Sequence, residues 1–139
     1  MSIDNVYIPQ SGGVSDLNDW ILGALGTCLV KLYASNTPYL PTNIASDYTE
    51  ASFVGYAAVP SPSWSAAYIN GSGAAETDSP PLTWTFTAGS GTATVFGLYI
   101  TDSTGTELLA VVPFQSPVLL TPTVPTVSRT VQLTAISQL

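Results

Sequence analysis

The clearest signal in the chain is a strict alternation. Leu82-Thr83-Trp84-Thr85-Phe86-Thr87 puts Leu82, Trp84 and Phe86 on one side and threonines on the other. Successive side chains on a strand point to opposite faces, so this segment predicts a strand with one face in a core. Thr130 to Ala135 repeats the pattern, with Val131, Leu133 and Ala135 sharing a face. Two apolar runs, Thr92 to Thr101 and Glu107 to Phe114, flank the turn residues Asp102-Ser103-Thr104-Gly105 and predict a hairpin. Thr27 to Tyr33, Phe53 to Val59 and Trp64 to Ile69 are further strand candidates. The last of these runs into Asn70-Gly71, the signal of a tight two-residue hairpin.

Helical character is confined to one place. Asp16 or Ser15 can cap a helix over Leu17 to Leu25, with Asp16 and Asp19 in its first turn and Gly26 at its end. A single helical turn is expected over Asp47 to Ala51. Ser116 to Ser128, with Pro117, Pro122 and Pro125, reads as an extended connection along a sheet edge, where proline blocks further pairing. The expected fold is mainly β, a β-sandwich or barrel of about seven to eight short strands with one short N-terminal helix and an extended N-terminal arm.

The arm is residues 1–13, and residues 14–139 form a single β domain. Val6, Tyr7 and Ile8 make an apolar patch ahead of Ser11-Gly12-Gly13, which reads as a flexible joint. Such a segment buries too little by itself to offset its backbone entropy, so it is expected to order along a neighbouring subunit. Val6, Tyr7 and Ile8 are therefore interface candidates. Trp64 and Tyr68, beside turn residues, are two more, with core packing as their alternative role; strand spacing assigns Trp84 and Tyr56 to the core.

Charge changes the picture most. The 139 residues include only two bases, Lys31 and Arg129, nine acids and no histidine. Charged residues make up 8% of the chain and hydrophobic ones 45%, where an ordinary domain is roughly 25% charged. A folded chain of this mass exposes roughly 6,900 Å², or about one charge per 600 Å², which is sparse for a surface that must repel its neighbours. Such a surface can be covered without stranding ions. It points to an assembly subunit; the plainer alternative is a monomer kept soluble by hydroxyls and a net charge of −7. The acidic balance argues against nucleic acid and against an anionic membrane. The longest apolar stretch, Trp20 to Val30, contains Gly23, Gly26 and Thr27 and falls short of the roughly 20 residues of a membrane helix.

Candidate chemistry is thin. Without histidine there is no Ser-His-Asp site, and the preferred metal ligand is missing. Two carboxylate pairs remain. Asp47 and Glu50 would share a face of a helical turn, the raw material of a glycosidase. Glu76 and Asp78 would share a face of a strand and could contact calcium, although the EF-hand spacing is absent. Gly71-Ser72-Gly73 and Gly89-Ser90-Gly91 lack a following lysine and helix, so they read as turns and not as phosphate loops. Cys28, alone and inside an apolar run, is expected to be a buried small hydrophobe. The start of the chain has no basic, then apolar, secretory pattern. No catalytic residue, cofactor or metal is expected.

Two stretches carry a resemblance. One is Val30-Lys31-Leu32-Tyr33-Ala34-Ser35-Asn36-Thr37-Pro38, followed by Asp47-Tyr48-Thr49-Glu50-Ala51-Ser52-Phe53-Val54-Gly55-Tyr56-Ala57. The other is Val95-Phe96-Gly97-Leu98-Tyr99-Ile100-Thr101-Asp102, followed by Leu108-Leu109-Ala110. Together, over residues 15–115, they resemble small virion proteins of tailed bacteriophages. The resemblance implies a structural role: a head decoration (cement) protein that binds the major capsid protein, works as a homotrimer and resides on the capsid surface after synthesis in the host cytoplasm. The alternative it leaves is a tail or fibre component involved in host attachment. It carries over no catalytic residue.

Overall fold

Where the sequence alternates, the chain pairs, and the alternation decides what is buried. In the computed structural model, which describes residues 10–135, the strands are β1 (Leu29–Tyr33), β2 (Val59–Pro60), β3 (Tyr68–Ile69), β4 (Ala75–Asp78), β5 (Leu82–Thr85), β6 (Ala93–Thr101), β7 (Leu108–Leu120), β8 (Thr126–Arg129) and β9 (Gln132–Ala135). They form three sheets, ordered β2-β1-β6-β7, β3-β4-β9 and β5-β8, and every pairing is antiparallel. The architecture is mainly β, as expected, with nine strands described. The sheets end in open edges, so the layout is sandwich-like and not a closed barrel.

β5 buries Leu82 and Trp84, exposes Thr83 and Thr85, and hands the buried side on to Phe86. β8 lies beside it with Val127 opposite Trp84. The four-stranded sheet sends Val30 and Leu32 of β1 and Leu98 and Ile100 of β6 into the same core. Leu133 of β9 packs against that core too, so all three sheets meet there. Cys28 is fully buried at its margin, and burial pushes its thiol pKa up. The opposite face of the four-stranded sheet carries a second, smaller core of Tyr33, Tyr48 and Tyr99.

The helix differs from expectation at both ends. α1 runs over Gln10–Leu22, and a 3-10 turn follows over Ala24–Thr27. Ser11, Gly12 and Gly13 therefore lie in the helix and not in a joint, and Asp16 sits mid-helix instead of capping it. Residues 1–9, with the interface candidates Val6, Tyr7 and Ile8, lie outside the described residues. Leu17 and Leu25 are buried, Trp20 and Ile21 pack against the main core, and α1 lies against β4.

Four other elements depart from their sequence reading. Phe53 to Ala58 is a loop and not a strand: Tyr56 N–H donates to Phe53 O at 3.0 Å, and Gly55 adopts φ +94. Phe53 and Tyr56 still pack against the core, which is why their run looks like a strand. The helical turn falls over Ala45–Asp47, starting two residues earlier than expected and sharing only Asp47 with the expected span, and Glu50 instead bridges to Tyr33. The turn after Ile69 is longer than an Asn-Gly pair. Asn70 N–H donates to Ala74 O at 2.8 Å, and the positive φ falls at Gly73 (+82). Finally, β7 extends through Pro113 and Pro117 to Leu120. An edge strand tolerates proline because its outward N–H has no partner to lose, and β7 is the edge. Gly97 pairs with Pro113 but Val95 with Val118, so Phe96 opposes a bulge of Phe114 to Pro117.

Candidate functional site

The long connection after β1 supplies the most distinctive surface. It crosses the outer face of the four-stranded sheet and is pinned there by Tyr48. The Tyr48 ring stacks on Tyr99 at a centroid distance of 5.5 Å and meets Tyr33 edge-on at 4.9 Å. β1 places Tyr33 on this face because Val30 and Leu32 take the other, and β6 places Tyr99 by the same alternation. Burial, helped by the Glu50 charge, pushes the Tyr99 hydroxyl up to about 12, so these phenols stay neutral through the physiological range.

From this anchor a chain of hydrogen bonds runs outward. Tyr48 Oη donates to Asn43 Oδ1 at 2.9 Å, and the same oxygen accepts Leu40 N–H at 2.7 Å. Asp47 Oδ2 accepts Ile44 N–H at 2.9 Å and Asn43 Nδ2 at 3.3 Å. Thr37 Oγ1 bonds Asp47 O and Ser35 Oγ, and Ser35 Oγ also accepts Thr49 N–H. The loop so braced holds three large apolar side chains in water: Tyr39, Leu40 and Ile44 are 56%, 53% and 59% exposed. Grooves join it to Leu108, Leu109, Ala110 and Val111 at the start of β7. Edge strand and loop thus make one continuous, mostly apolar surface, with Asp47 in the loop and Glu107 at its border as its charges.

Of the two candidate carboxylate pairs, only Glu76 and Asp78 share a face as sequence spacing implies. Asp47 caps its own loop. Glu50 points elsewhere, 3.6 Å from Lys31 Nζ and accepting the Tyr56 hydroxyl at 2.8 Å. That hydroxyl is pushed well above the ordinary phenol range by burial and by Glu50. Glu76 and Asp78 do share a face of β4, as expected, but Tyr68 from β3 sits across them. Its Oη stands 2.5 Å from Glu76 Oε2 and 2.6 Å from Asp78 Oδ2. Among the described residues no three Cys, Asp or Glu side chains gather as a metal site would require, and no described helix is long and apolar enough to cross a membrane.

The remaining interface candidates separate. Tyr68 is 40% exposed beside Ile69, also 40%, with its hydroxyl engaged as above. Trp64 is half-buried and packs against the main core, with its indole beside Cys28. Sequence reading missed the loop from Tyr39 to Ile44, although Tyr39-Leu40-Pro41 and Ile44 stand as apolar residues in a stretch without strand period. No family model, no curated protein and no solved structure matches the chain.

Proposed function

We propose that this chain is a structural protein of a tailed-bacteriophage virion, a decoration (cement) protein that binds the major capsid protein and stabilises the head shell. It would act as a homo-oligomer of closed symmetry, the general form of such assemblies, and the resemblance to cement proteins implies a trimer. The observation that carries this reading is the braced loop. Apolar side chains fixed in water by a hydrogen-bonded scaffold are ordered ahead of binding, which lowers the entropy cost of docking. Exposed apolar patches of this kind mark interaction sites.

The charge distribution supports the same reading. Lys31 is taken up by Glu50, and Arg129 lies over the Phe114 ring with its carbon 4.4 Å from the centroid. Neither base is left free to form ion pairs across an interface, and the proposed surface itself is mostly apolar, so apolar and hydroxyl contacts would carry it. The resemblance of the two segments to small virion proteins supports the identity of the partner. The test is copy number: quantitative mass spectrometry of purified virions should find this chain in a fixed, high ratio to the major capsid protein. A few copies per particle would contradict a shell role.

A second reading, a tail or fibre module for host attachment, is favoured by one feature. Tyr33, Asn36, Tyr39, Phe96 and Gln115 line a groove of about 240 Å³. Aromatic faces beside amides suit a sugar ring, but this volume is below the roughly 300–1,000 Å³ of small-molecule pockets. The same copy-number measurement separates the two readings.

A further inference from the structure

The β3–β4 hairpin contains more hydrogen-bond contacts than fully ionised carboxylates could make. Tyr68 Oη lies within 2.6 Å of both Glu76 Oε2 and Asp78 Oδ2, yet a phenol has one hydrogen to donate. With both carboxylates charged, one contact would set lone pair against lone pair. A carboxyl must supply the second hydrogen.

The surroundings say which one. Glu76 accepts at both oxygens, since Asn70 Nδ2 donates to Oε1 at 3.0 Å; that is how a carboxylate behaves. Asp78 Oδ1 is buried with no partner. An orphaned carbonyl oxygen of a neutral acid costs far less there than half of a charged carboxylate.

We propose that Asp78 keeps its proton at pH values where an ordinary aspartate has lost it, and that the relay Asp78 O–H to Tyr68 O–H to the Glu76 carboxylate latches β3 onto β4 in a pH-dependent way. β3 has little else to hold it. It pairs with β4 at two positions, Tyr68 with Glu76 and Ile69 with Ala75, and both of its side chains are exposed. Loss of the proton leaves two like charges against one phenol, and β3 loosens. Asn18 of α1 accepts Ala67 N–H at 3.0 Å, so the loosening reaches the helix.

The neighbours do not neutralise the pair. β9 sets Thr134 opposite Glu76 and Gln132 opposite Asp78. Ser65 Oγ accepts Asp78 N–H, and α1 brings only the acids Asp16 and Asp19. Lys31 and Arg129 are engaged at Glu50 and Phe114. Hydrogen bonding within the pair lifts Asp78 above the ordinary 3.8, and with Tyr68 and Asn70 it holds Glu76 below 4.5. The raised group stabilises fully below 3.8 and loses its contribution as pH rises through its folded value. The lowered group contributes above 4.5 and loses its contribution as pH falls through its folded value. The latch is therefore strongest between the two folded values, where the pair shares one proton.

Carboxyl carbon-13 NMR of the full chain tests this, with amide exchange at residues 68–70 corrected for its intrinsic pH dependence. Asp78 should titrate above 3.8 and Glu76 below 4.5, with β3 protection falling as Asp78 deprotonates. Asp78→Asn can donate to Tyr68 without titrating, and should keep β3 protected as pH rises through the range in which Asp78 loses its proton. Tyr68→Phe removes the donor to Glu76, so it should raise Glu76 towards 4.5 and leave β3 poorly protected on both sides of the Asp78 titration, while the near-ultraviolet signal of buried Trp84 is unchanged. An Asp78 that titrates at or below 3.8, or β3 protection in Tyr68→Phe equal to that of the unaltered chain, overturns the proposal. It stands apart from the virion role and can fail without it.

Discussion

Tyr33 and Gly97 face each other across β1 and β6, and the Tyr33 ring occupies the space where a side chain at 97 would begin. A Cβ there would lie 2.6 Å from Tyr33 Cε1 and Cζ. Glycine at this position lets the ring lie flat on the sheet, which in turn sets the seat for Tyr48 and the loop beyond it.

Gly97→Ala should therefore act at a distance. The new methyl group must lift Tyr33, and overpacking of this kind costs roughly 1–3 kcal/mol. Denaturant unfolding should show that loss. The near-ultraviolet dichroism of the tyrosines should change, because the stack of Tyr33, Tyr48 and Tyr99 shifts with it.

Trp84 gives a different contrast. It is 3% exposed in the main core, and its Nε1 is buried with no hydrogen-bond partner. Trp84→Ala should cost roughly 3–5 kcal/mol, the range for emptying an aromatic site. Trp84→Phe removes the unsatisfied donor along with the lost volume, so its cost should stay well below that of alanine. Equal losses for the two variants in urea titrations would mean that the indole nitrogen has a partner.

Strand identity was legible wherever one face is buried and the other wet, as in Leu82 to Thr87, because that condition itself writes the alternation. It failed at Phe53 to Ala58, where Phe53 and Tyr56 reach the core from a loop and Gly55 needs a backbone conformation that no periodicity announces. Pro113 and Pro117 hid the length of β7, since a proline halts pairing in a central strand but not on an outward edge. The Tyr68 contact was out of reach for a sharper reason. A two-residue Asn-Gly turn would have placed Tyr68 opposite Gly73; the longer loop places it opposite Glu76. The loop from Tyr39 to Ile44 escaped because its order comes from hydrogen bonds among Tyr48, Asn43 and Asp47, which follow from folding and not from local pattern.

Asp47→Ala should separate presentation of that loop from stability of the domain. It removes the acceptor for Ile44 N–H and Asn43 Nδ2, and loss of a capping carboxylate costs about 1 kcal/mol. The melting temperature should fall slightly, while binding to the capsid falls by considerably more than the stability loss. Equal affinity for the capsid would show that the ordering of this loop has no role in docking.

The most direct measurement is an electron cryo-microscopy reconstruction of the virion that carries this chain. The account predicts density for it repeated over the head shell, with Tyr39, Leu40, Ile44 and the Leu108 to Val111 edge turned towards the major capsid protein or a neighbouring copy. The same particles should retain the chain in high salt, because screening acts on charges and not on buried apolar area. A chain found only at the tail, or one on the shell with that loop facing solvent, would contradict it.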